Sequence, residues 1–379
     1  MPASPLHTPL CELLGIEHPI ILAGMGGVAT AELVSAVSEA GGLGVVGAAS
    51  MGADEIRSQV RRIRDLTNQP FGVDILLPAN VSGPAPSFEG DDAKRSAGAT
   101  LPQALPQQYS DWVGEALAEF NLSEPPSIEG NRGIFTSDFT KRQAEAIIEE
   151  QVPIFASGLG NPAAFVKDVH AYGGKVISLV GNVKAARKVN EGGVDVVVAQ
   201  GHEAGGHTGR IGTMALVPQV VDAVAPTYVA AAGGIGDGRG IIAALALGAV
   251  GAWVGTAFLV SEEANWPRTL KQRILDASEE DTRVTRLYSG KTMRNINNPL
   301  IENWEKSGLQ ALPMGFQGMI SGRVQRAAFA GGRVDLTMNP AGQISGMFSE
   351  IRPAAEIFAD IVESAVRVLE TLRREGIHA

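Results

Sequence analysis

The sequence predicts an α/β chain folded as a (β/α)8, or TIM, barrel with a smaller, mostly helical C-terminal appendage. Eight short apolar segments, most of them ending in glycine, recur before residue 260. Amphipathic stretches separate these segments, as the crossover helices of a parallel sheet would. The segments are apolar on both faces, which is typical of strands covered by helices. A doubly wound sheet is the alternative, but it would not need eight equivalent units.

The first three strands are predicted at residues 18–23, 43–49 and 71–77, with the sequences HPIILA, LGVVGAA and FGVDILL. The helices between them read AELVSAVSEA and ADEIRSQVRRIRDLT. Gly41 and Gly42 follow the first of these helices, as glycine commonly does at a helix C-terminus. These residues therefore indicate a β–α–β–α–β run.

An insertion at residues 79–132 interrupts the alternation. It is rich in Pro, Ser, Gly and acidic residues, with a short helix predicted at residues 110–120. A loop of this length is either a functional lid or a surface segment without fixed structure. Because it leaves the carboxyl end of the third strand, where barrel active sites lie, a lid that selects substrate is one of the two hypotheses.

Five further strands follow the insertion, and each of them but the last is clearly followed by a helix. Strands are predicted at residues 153–157, 175–180, 194–199, 227–232 and 249–254. Helices are predicted at residues 140–150, 162–172, 184–190, 214–224 and 239–247. Residues 1–260 therefore form the predicted barrel domain.

The predicted C-terminal subdomain, residues 261–379, closes over the mouth of the barrel. It is rich in charge and ends in a helix predicted at residues 353–375. The segment from Asn339 to Met347 is polar and glycine-rich enough to reach the active site. An ordinary loop before the last helix is an equally good interpretation of that segment.

Composition limits the classes of partner. The net charge of −10 argues against a nucleic-acid or anionic-membrane surface. The N-terminal residues lack the basic and apolar regions of a signal peptide, and no apolar run reaches membrane-spanning length. A single cysteine, Cys11, fits a reducing compartment and a structural role. We therefore expect a cytoplasmic protein that binds neither nucleic acid nor membrane, with a homo-oligomer left open.

The stretch AQGHEAGGHTGRIGT, which follows the sixth strand, is the predicted centre of the chemistry. Its glycines allow backbone to approach a ligand closely, and exposed N–H groups of such a turn bind anions. His207 is the side chain in this turn best suited to move protons near neutral pH. His202 is interpreted as a bystander, and the two histidines lack the spacing of a metal site.

Glycines also end the seventh and eighth strands, at Gly233-Gly234 and Gly255-Thr256. In TIM barrels the loops after these strands commonly hold a phosphate through backbone N–H groups and a hydroxyl. The pattern predicts a phosphate-bearing ligand. Flavin mononucleotide (FMN) would suit, because its planar ring could lie across the barrel mouth.

Five ordered motifs resemble the nitronate monooxygenase, or 2-nitropropane dioxygenase, family: HPIILAGMGG, PFGVDILLP, VVVAQGHEAGGHTG, VAAAGGIGDGRG and AWVGTAFL. The resemblance implies a barrel that holds FMN non-covalently, with His207 as the catalytic histidine. The residues that it places around the flavin are Ala23, Gly24, Met25, Asp74, Ser178, Gln200, Gly201, Gly205, Gly206, Gly233, Gly234, Gly255 and Thr256. It is less specific for the reaction, because flavin-dependent enoyl-acyl-carrier-protein reductases share the barrel and a similar GGH turn.

Oxidation of a nitronate by O2 to a carbonyl compound and nitrite is the activity that the resemblance implies. His207 would position the substrate, or act as a base if a neutral nitroalkane is used. An NAD(P)H-dependent enoyl-thioester reductase and a non-catalytic flavin-binding scaffold remain alternatives. Asp74 and the insertion depart from the family pattern, since several members carry an amide side chain in place of Asp74. A carboxylate beside the flavin would disfavour the anionic reduced ring unless it is paired or protonated.

Overall fold

A computed structural model describes residues 5–77, 106–124, 137–314 and 316–374 of the chain. The predicted barrel is confirmed, because eight parallel strands form one sheet. Its strands are β1 (Ile20–Leu22), β2 (Gly44–Gly47), β3 (Phe71–Leu77), β4 (Ile154–Gly160), β5 (Lys175–Val180), β6 (Val196–Gln200), β8 (Tyr228–Ala232) and β9 (Gly251–Val254). Most of the predicted insertion lies outside the described residues.

The sheet runs in the order β1-β9-β8-β6-β5-β4-β3-β2 and closes on itself between β1 and β2. At the closure, the Leu22 N–H donates to the carbonyl of Leu43 over 2.8 Å. The Leu43 N–H in turn donates to the carbonyl of Ile20 over 3.0 Å. Closure removes the free sheet edges, which would otherwise be open to pairing with another chain.

Side chains alternate between the interior of the barrel and the helix layer outside it, as the two-residue period of a strand requires. The interior cluster includes Ile177 and Val198, whereas the outer layer includes Val73 and Val197. The short helix α1 (Pro9–Leu14) adds Leu10, Cys11 and Leu14 to the interior cluster. Cys11 is buried there as an unpaired thiol.

Seven helices alternate with the barrel strands: α2 (Ala31–Glu39), α3 (Ala53–Leu66), α5 (Ser137–Glu149), α6 (Ala163–Ala171), α7 (Val183–Glu191), α8 (Thr213–Val224) and α9 (Gly238–Ala246). The last helix, α14 (Ala354–Arg374), packs against both α9 and α2. It therefore fills the eighth position of the helix ring. The chain leaves the barrel after β9 and returns to complete it about a hundred residues later.

The segment between β9 and α14 contains α10 (Thr256–Leu259), α11 (Arg268–Leu275), β10 (Thr282–Thr285), β11 (Met293–Ile296), α12 (Pro299–Ser307), α13 (Gln317–Ala330) and two 3-10 turns, Val334–Leu336 and Gln343–Met347. Its residues between Leu287 and Met338 supply most of a second hydrophobic core over the barrel mouth. The short strand β7 (Gly206–His207), which follows β6 in the chain, pairs with β11. The insertion helix α4 (Gln107–Glu119) packs on α12 and α13 and belongs to this core. Its Trp112 ring lies edge-on to Trp304, with centroids 4.9 Å apart. The described helix of the insertion and the C-terminal helices α12 and α13 therefore pack together.

Within the described ranges, no helix combines the length and the apolar composition needed to cross a bilayer.

Candidate active site

A cavity of about 500 Å³ opens at the carboxyl ends of the barrel strands, below the second core. It brings together most of the residues that the sequence analysis singled out. Those in its wall are Ala23, Gly24, Met25, Asp74, Gln200, Gly205, Gly206, His207, Gly233, Gly234, Gly255 and Thr256. The convergence of these residues on one enclosed space makes it the candidate active site.

Two of the expected residues, Ser178 and Gly201, do not contribute to the cavity wall. Ser178 is fully buried, and its neighbours Ile177 and Leu179 both belong to the barrel interior. Because side chains alternate along a strand, Ser178 faces the helix layer instead. Gly201 begins the glycine-rich turn after β6 (residues 201–213), where its carbonyl accepts a hydrogen bond from the Thr208 hydroxyl.

His207 lies in the two-residue strand β7, which pairs antiparallel with β11 of the second core. Its Nε2 forms a 2.8 Å hydrogen bond with Oγ of Ser289, and its carbonyl accepts one from Nε2 of Gln200. Burial and, to a smaller extent, the nearby Lys291 ammonium together lower the pKa of His207 to about 4. The imidazole is therefore neutral at physiological pH.

Two side chains hydrogen-bond to backbone carbonyls of the turn at residues 201–213 and stabilise it. The buried Arg294 guanidinium donates to the carbonyl of His202 over 3.0 Å. Nδ1 of His202 hydrogen-bonds the carbonyl of Gly209 at 2.7 Å, and His202 is absent from the cavity wall. His202 therefore stabilises the turn through this hydrogen bond.

The glycine ends of β8 and β9 form a cradle of exposed backbone. Gly233 and Gly234 have φ angles of +92° and +73°, which favour glycine strongly. Gly205 lies so close to the loop before α14 that a Cβ on it would fall 2.6 Å from the carbonyl carbon of Ala341. Such a cradle fits a phosphate, which approaches backbone N–H groups closely.

Asp74 enters the cavity from β3 and is only 6% exposed. The Gly158 backbone hydrogen-bonds its carboxyl group, but Oδ1 has no hydrogen-bond partner. Burial raises the pKa of Asp74 to about 8. The side chain is therefore a neutral acid at physiological pH.

The outer wall of the cavity is formed by residues of the second core and by the segment from Asn339 to Met347, of which the sequence indicates only the latter. This wall is mostly apolar, and its residues are Tyr288, Ser289, Met293, Met314, Gly318, Met338, Pro340, Gly342 and Ile344. Pro340, Gly342 and Ile344 come from the anticipated segment. The Gly342 N–H donates to the Thr256 hydroxyl over 3.0 Å, which ties that segment to the end of β9.

The sequence does not reveal Ser289 as a partner of His207. Ser289 stands in the tripeptide SGK at residues 289–291, and nothing in that tripeptide indicates a contact with His207. Among the residues that the structure describes, no group of three His, Cys, Asp or Glu side chains could hold a metal ion.

The sequence model of the family described as "Nitronate monooxygenase" matches residues 7–364 of the chain. A probable nitronate monooxygenase of Staphylococcus aureus (strain MSSA476) is 33% identical over 372 residues, covering 95% of this chain and 98% of that protein. A putative monooxygenase of Mycobacterium tuberculosis is 32% identical over 381 residues, covering 97% and 99%.

Two solved structures share the fold of this chain over nearly its whole length. FabK from Thermotoga maritima superposes with a TM-score of 0.75 at 30% identity, covering 97% of this chain and 99% of that one. A nitroalkane oxidase from Streptomyces ansochromogenes gives a TM-score of 0.77 at 26% identity, covering 96% and 99%. Because the family model matches nearly the whole chain, the chain belongs to the nitronate monooxygenase family.

Proposed function

We propose that this chain is an FMN-dependent enzyme that oxidises alkyl nitronates with O2 to a carbonyl compound and nitrite. Two nitronate ions and one O2 yield two carbonyl compounds and two nitrite ions, so atoms and charge balance. The family match and the likeness to a nitroalkane oxidase support an oxidoreductase that acts on small molecules. The observation that carries the proposal is the neutral, anchored imidazole of His207 in the cavity wall.

The residues of the cavity fit FMN. Gly233, Gly234, Gly255 and Thr256 would hold the phosphate, since the cradle offers backbone N–H groups and a hydroxyl. Asp74 and Gln200 would lie along the polar part of the ring. When bound, the flavin supplies the redox step, because it accepts electrons that no side chain of the cavity can accept.

His207 would bind and orient the nitronate. Its hydrogen bond with Ser289 restricts the ring orientation, and the Lys291 ammonium adds a positive charge that favours an anionic substrate. The bound anion in turn raises the pKa of His207 and strengthens the hydrogen bond between them. A base with a pKa of about 4 removes a carbon-bound proton poorly, so the preformed nitronate is the better substrate than the nitroalkane.

The apolar outer wall favours a substrate with an apolar substituent. Met293, Met314 and Met338 line this wall, and methionine side chains adapt to ligands of different shape. We therefore expect kcat/KM to increase along a series of nitronates with longer alkyl chains.

Anaerobic mixing of the FMN-loaded protein with a nitronate, and separately with NADPH, tests the proposal through the flavin absorbance. Bleaching by the nitronate alone, with nitrite appearing once O2 is admitted, is the expected result. His207→Ala should lower turnover by at least about a hundredfold while FMN stays bound. Unchanged turnover in this variant would contradict the role given to His207.

An enoyl-thioester reductase that uses NAD(P)H is the second candidate. The likeness to FabK at 30% identity and the apolar outer wall favour it, since the wall could accept an acyl chain. Fast bleaching by NADPH without a response to nitronate would select this function. A protein that holds FMN but responds to neither reagent would be the flavin-binding scaffold.

A further inference from the structure

We propose that Asp74 is a neutral carboxylic acid that donates its proton in a hydrogen bond to the bound flavin ring, so that flavin affinity weakens when Asp74 ionises. The inference rests on the proposed binding of FMN and adds to it a pH-dependent contact. It assigns a function to a buried polar group that the proposed mechanism otherwise leaves unused.

Oδ1 of Asp74 is a buried polar atom without a hydrogen-bond partner. Six buried side-chain atoms lack a partner within the described residues: Ser35 Oγ, Asp74 Oδ1, Gln143 Oε1, Asn295 Oδ1, Asn297 Oδ1 and Arg326 Nε. Asp74 is the one among them that belongs to the cavity wall. A buried polar atom without a partner is costly, so its position in a ligand cavity indicates that the ligand completes it.

The backbone around Asp74 is shaped to accept this side chain. A Cβ on Gly24 would fall 2.6 Å from Oδ2 of Asp74, and one on Gly158 would fall 2.8 Å from the same oxygen. Both glycines therefore leave the space that the carboxyl group fills. Packing from both sides restricts rotation of the carboxyl group of Asp74, which lines the cavity.

Among the residues that the structure describes, no charge on the adjoining elements stabilises an ionised Asp74. Its register partners are Gly47 on β2 and Ala156 on β4, and the other close neighbours are Gly24 and Gly158. None of these residues is ionisable. The single hydrogen bond from the Gly158 backbone does not offset the loss of water around the carboxylate, so the neutral form is favoured.

The other ionisable groups in the described cavity wall are Glu203, His207 and Tyr288. His207 is neutral because its pKa is lowered, and Tyr288 is neutral because burial raises its pKa. Glu203 accepts hydrogen bonds from the backbone N–H of Thr213, at the N-terminus of α8. A negative charge on Glu203 would also favour the protonated form of Asp74.

A protonated carboxyl group donates through its O–H, whereas a carboxylate only accepts. The polar edge of an isoalloxazine carries carbonyl and ring-nitrogen acceptors, which can receive this proton in a hydrogen bond. A carboxylate in the same place would face those acceptors with a repulsive lone pair. Ionisation of Asp74 therefore replaces an attractive contact with a repulsive one.

The test compares FMN binding to the full chain and to Asp74→Asn across pH, followed by quenching of FMN fluorescence. The amide is neutral and retains N–H donors, so both proteins should bind FMN about equally at pH 6. Because the wild-type carboxyl group titrates near pH 8, the wild-type Kd should exceed that of the variant about tenfold at pH 9. Asp74→Ser, which is also neutral, provides the same comparison if the amide variant folds poorly.

Asp222→Asn is the matched control, because Asp222 is an exposed carboxylate on α8. This variant should follow the wild-type pH dependence. A ratio of the wild-type and Asp74→Asn Kd values that stays constant with pH would overturn the inference and leave FMN binding intact. Absence of FMN binding at every pH in every variant would overturn the proposed cofactor as well.

Discussion

Replacing Asp74 with asparagine should also change how the stability of the flavin-free protein depends on pH. The folded state holds the Asp74 proton up to about pH 8, whereas the unfolded chain releases it near its ordinary pKa of 3.8. Between these values the folded state binds more protons, so the free energy of unfolding falls as pH rises. The stabilisation that the proton confers is complete below the unfolded pKa and is lost as pH approaches 8.

The magnitude follows from linkage. Each pH unit in this window costs about 1.4 kcal/mol, so the wild type should lose about 3 kcal/mol relative to Asp74→Asn between about pH 5.5 and about pH 7.5. Asp74 is 6% exposed, so little solvent screening reduces this figure. His207 contributes a slope of the opposite sign below its ordinary pKa, but this slope is common to both proteins and cancels in the difference.

Urea denaturation of the two flavin-free proteins at several pH values measures this difference, provided that their m-values agree. Asp222→Asn should show the wild-type slope. If the difference between wild type and Asp74→Asn stays constant to within about 0.5 kcal/mol across the window, Asp74 is not a buried neutral acid. That outcome would refute the reasoning without reference to any ligand.

Three further predictions concern the glycine-rich turn that carries Gly205 and His207, and the second core. Lys291→Gln removes a positive charge near His207 and should raise the pKa of His207. The acid limb of the pH profile of kcat/KM for a nitronate should therefore move to higher pH. An acid limb at the wild-type pH would exclude an effect of Lys291 on the pKa of His207. Gly205→Ala should lower stability by about 2 kcal/mol in a thermal melt, because its Cβ would meet the Ala341 backbone; an unchanged Tm would contradict this close approach. Trp112→Ala should destabilise the second core by about 3 kcal/mol in denaturant unfolding, since the indole packs on Trp304 and donates to Asn303; a wild-type midpoint would count against that core.

The barrel could be predicted from sequence because each of its units repeats the same local signals. An apolar run such as VVVAQ or YVAAA ends at a glycine, and a helix begins a few residues later. Helix caps follow the same local logic, as at Asp237, whose side chain accepts from the backbone N–H groups of Arg239 and Gly240. The glycines that face the cavity could also be predicted from sequence, because the carboxyl ends of barrel strands lie on one face.

Contacts between segments far apart in the chain could not be predicted from such local signals. Ser289 reaches His207 across 82 residues because β7 pairs with β11, and a two-residue strand leaves no periodic signal. The eighth helix of the ring was predicted as part of the appendage, because nothing local indicates that α14 returns to lie between α9 and α2. The resemblance places Ser178 beside the flavin, but strand alternation turns its side chain away from the cavity.

The second core has a consequence for the order in which the chain becomes structured during synthesis. Trp112 of α4 leaves the ribosome 191 residues before Asn303, the residue to which its indole donates. Until α12 and α13 are made, the apolar face of α4 has no surface to pack against, even if the early barrel strands have already paired. The late arrival of α14, which completes the helix ring, delays closure further. Nascent chains that end near residue 260 should therefore expose Tyr109 and Trp112 and depend on chaperones, whereas the completed chain buries both.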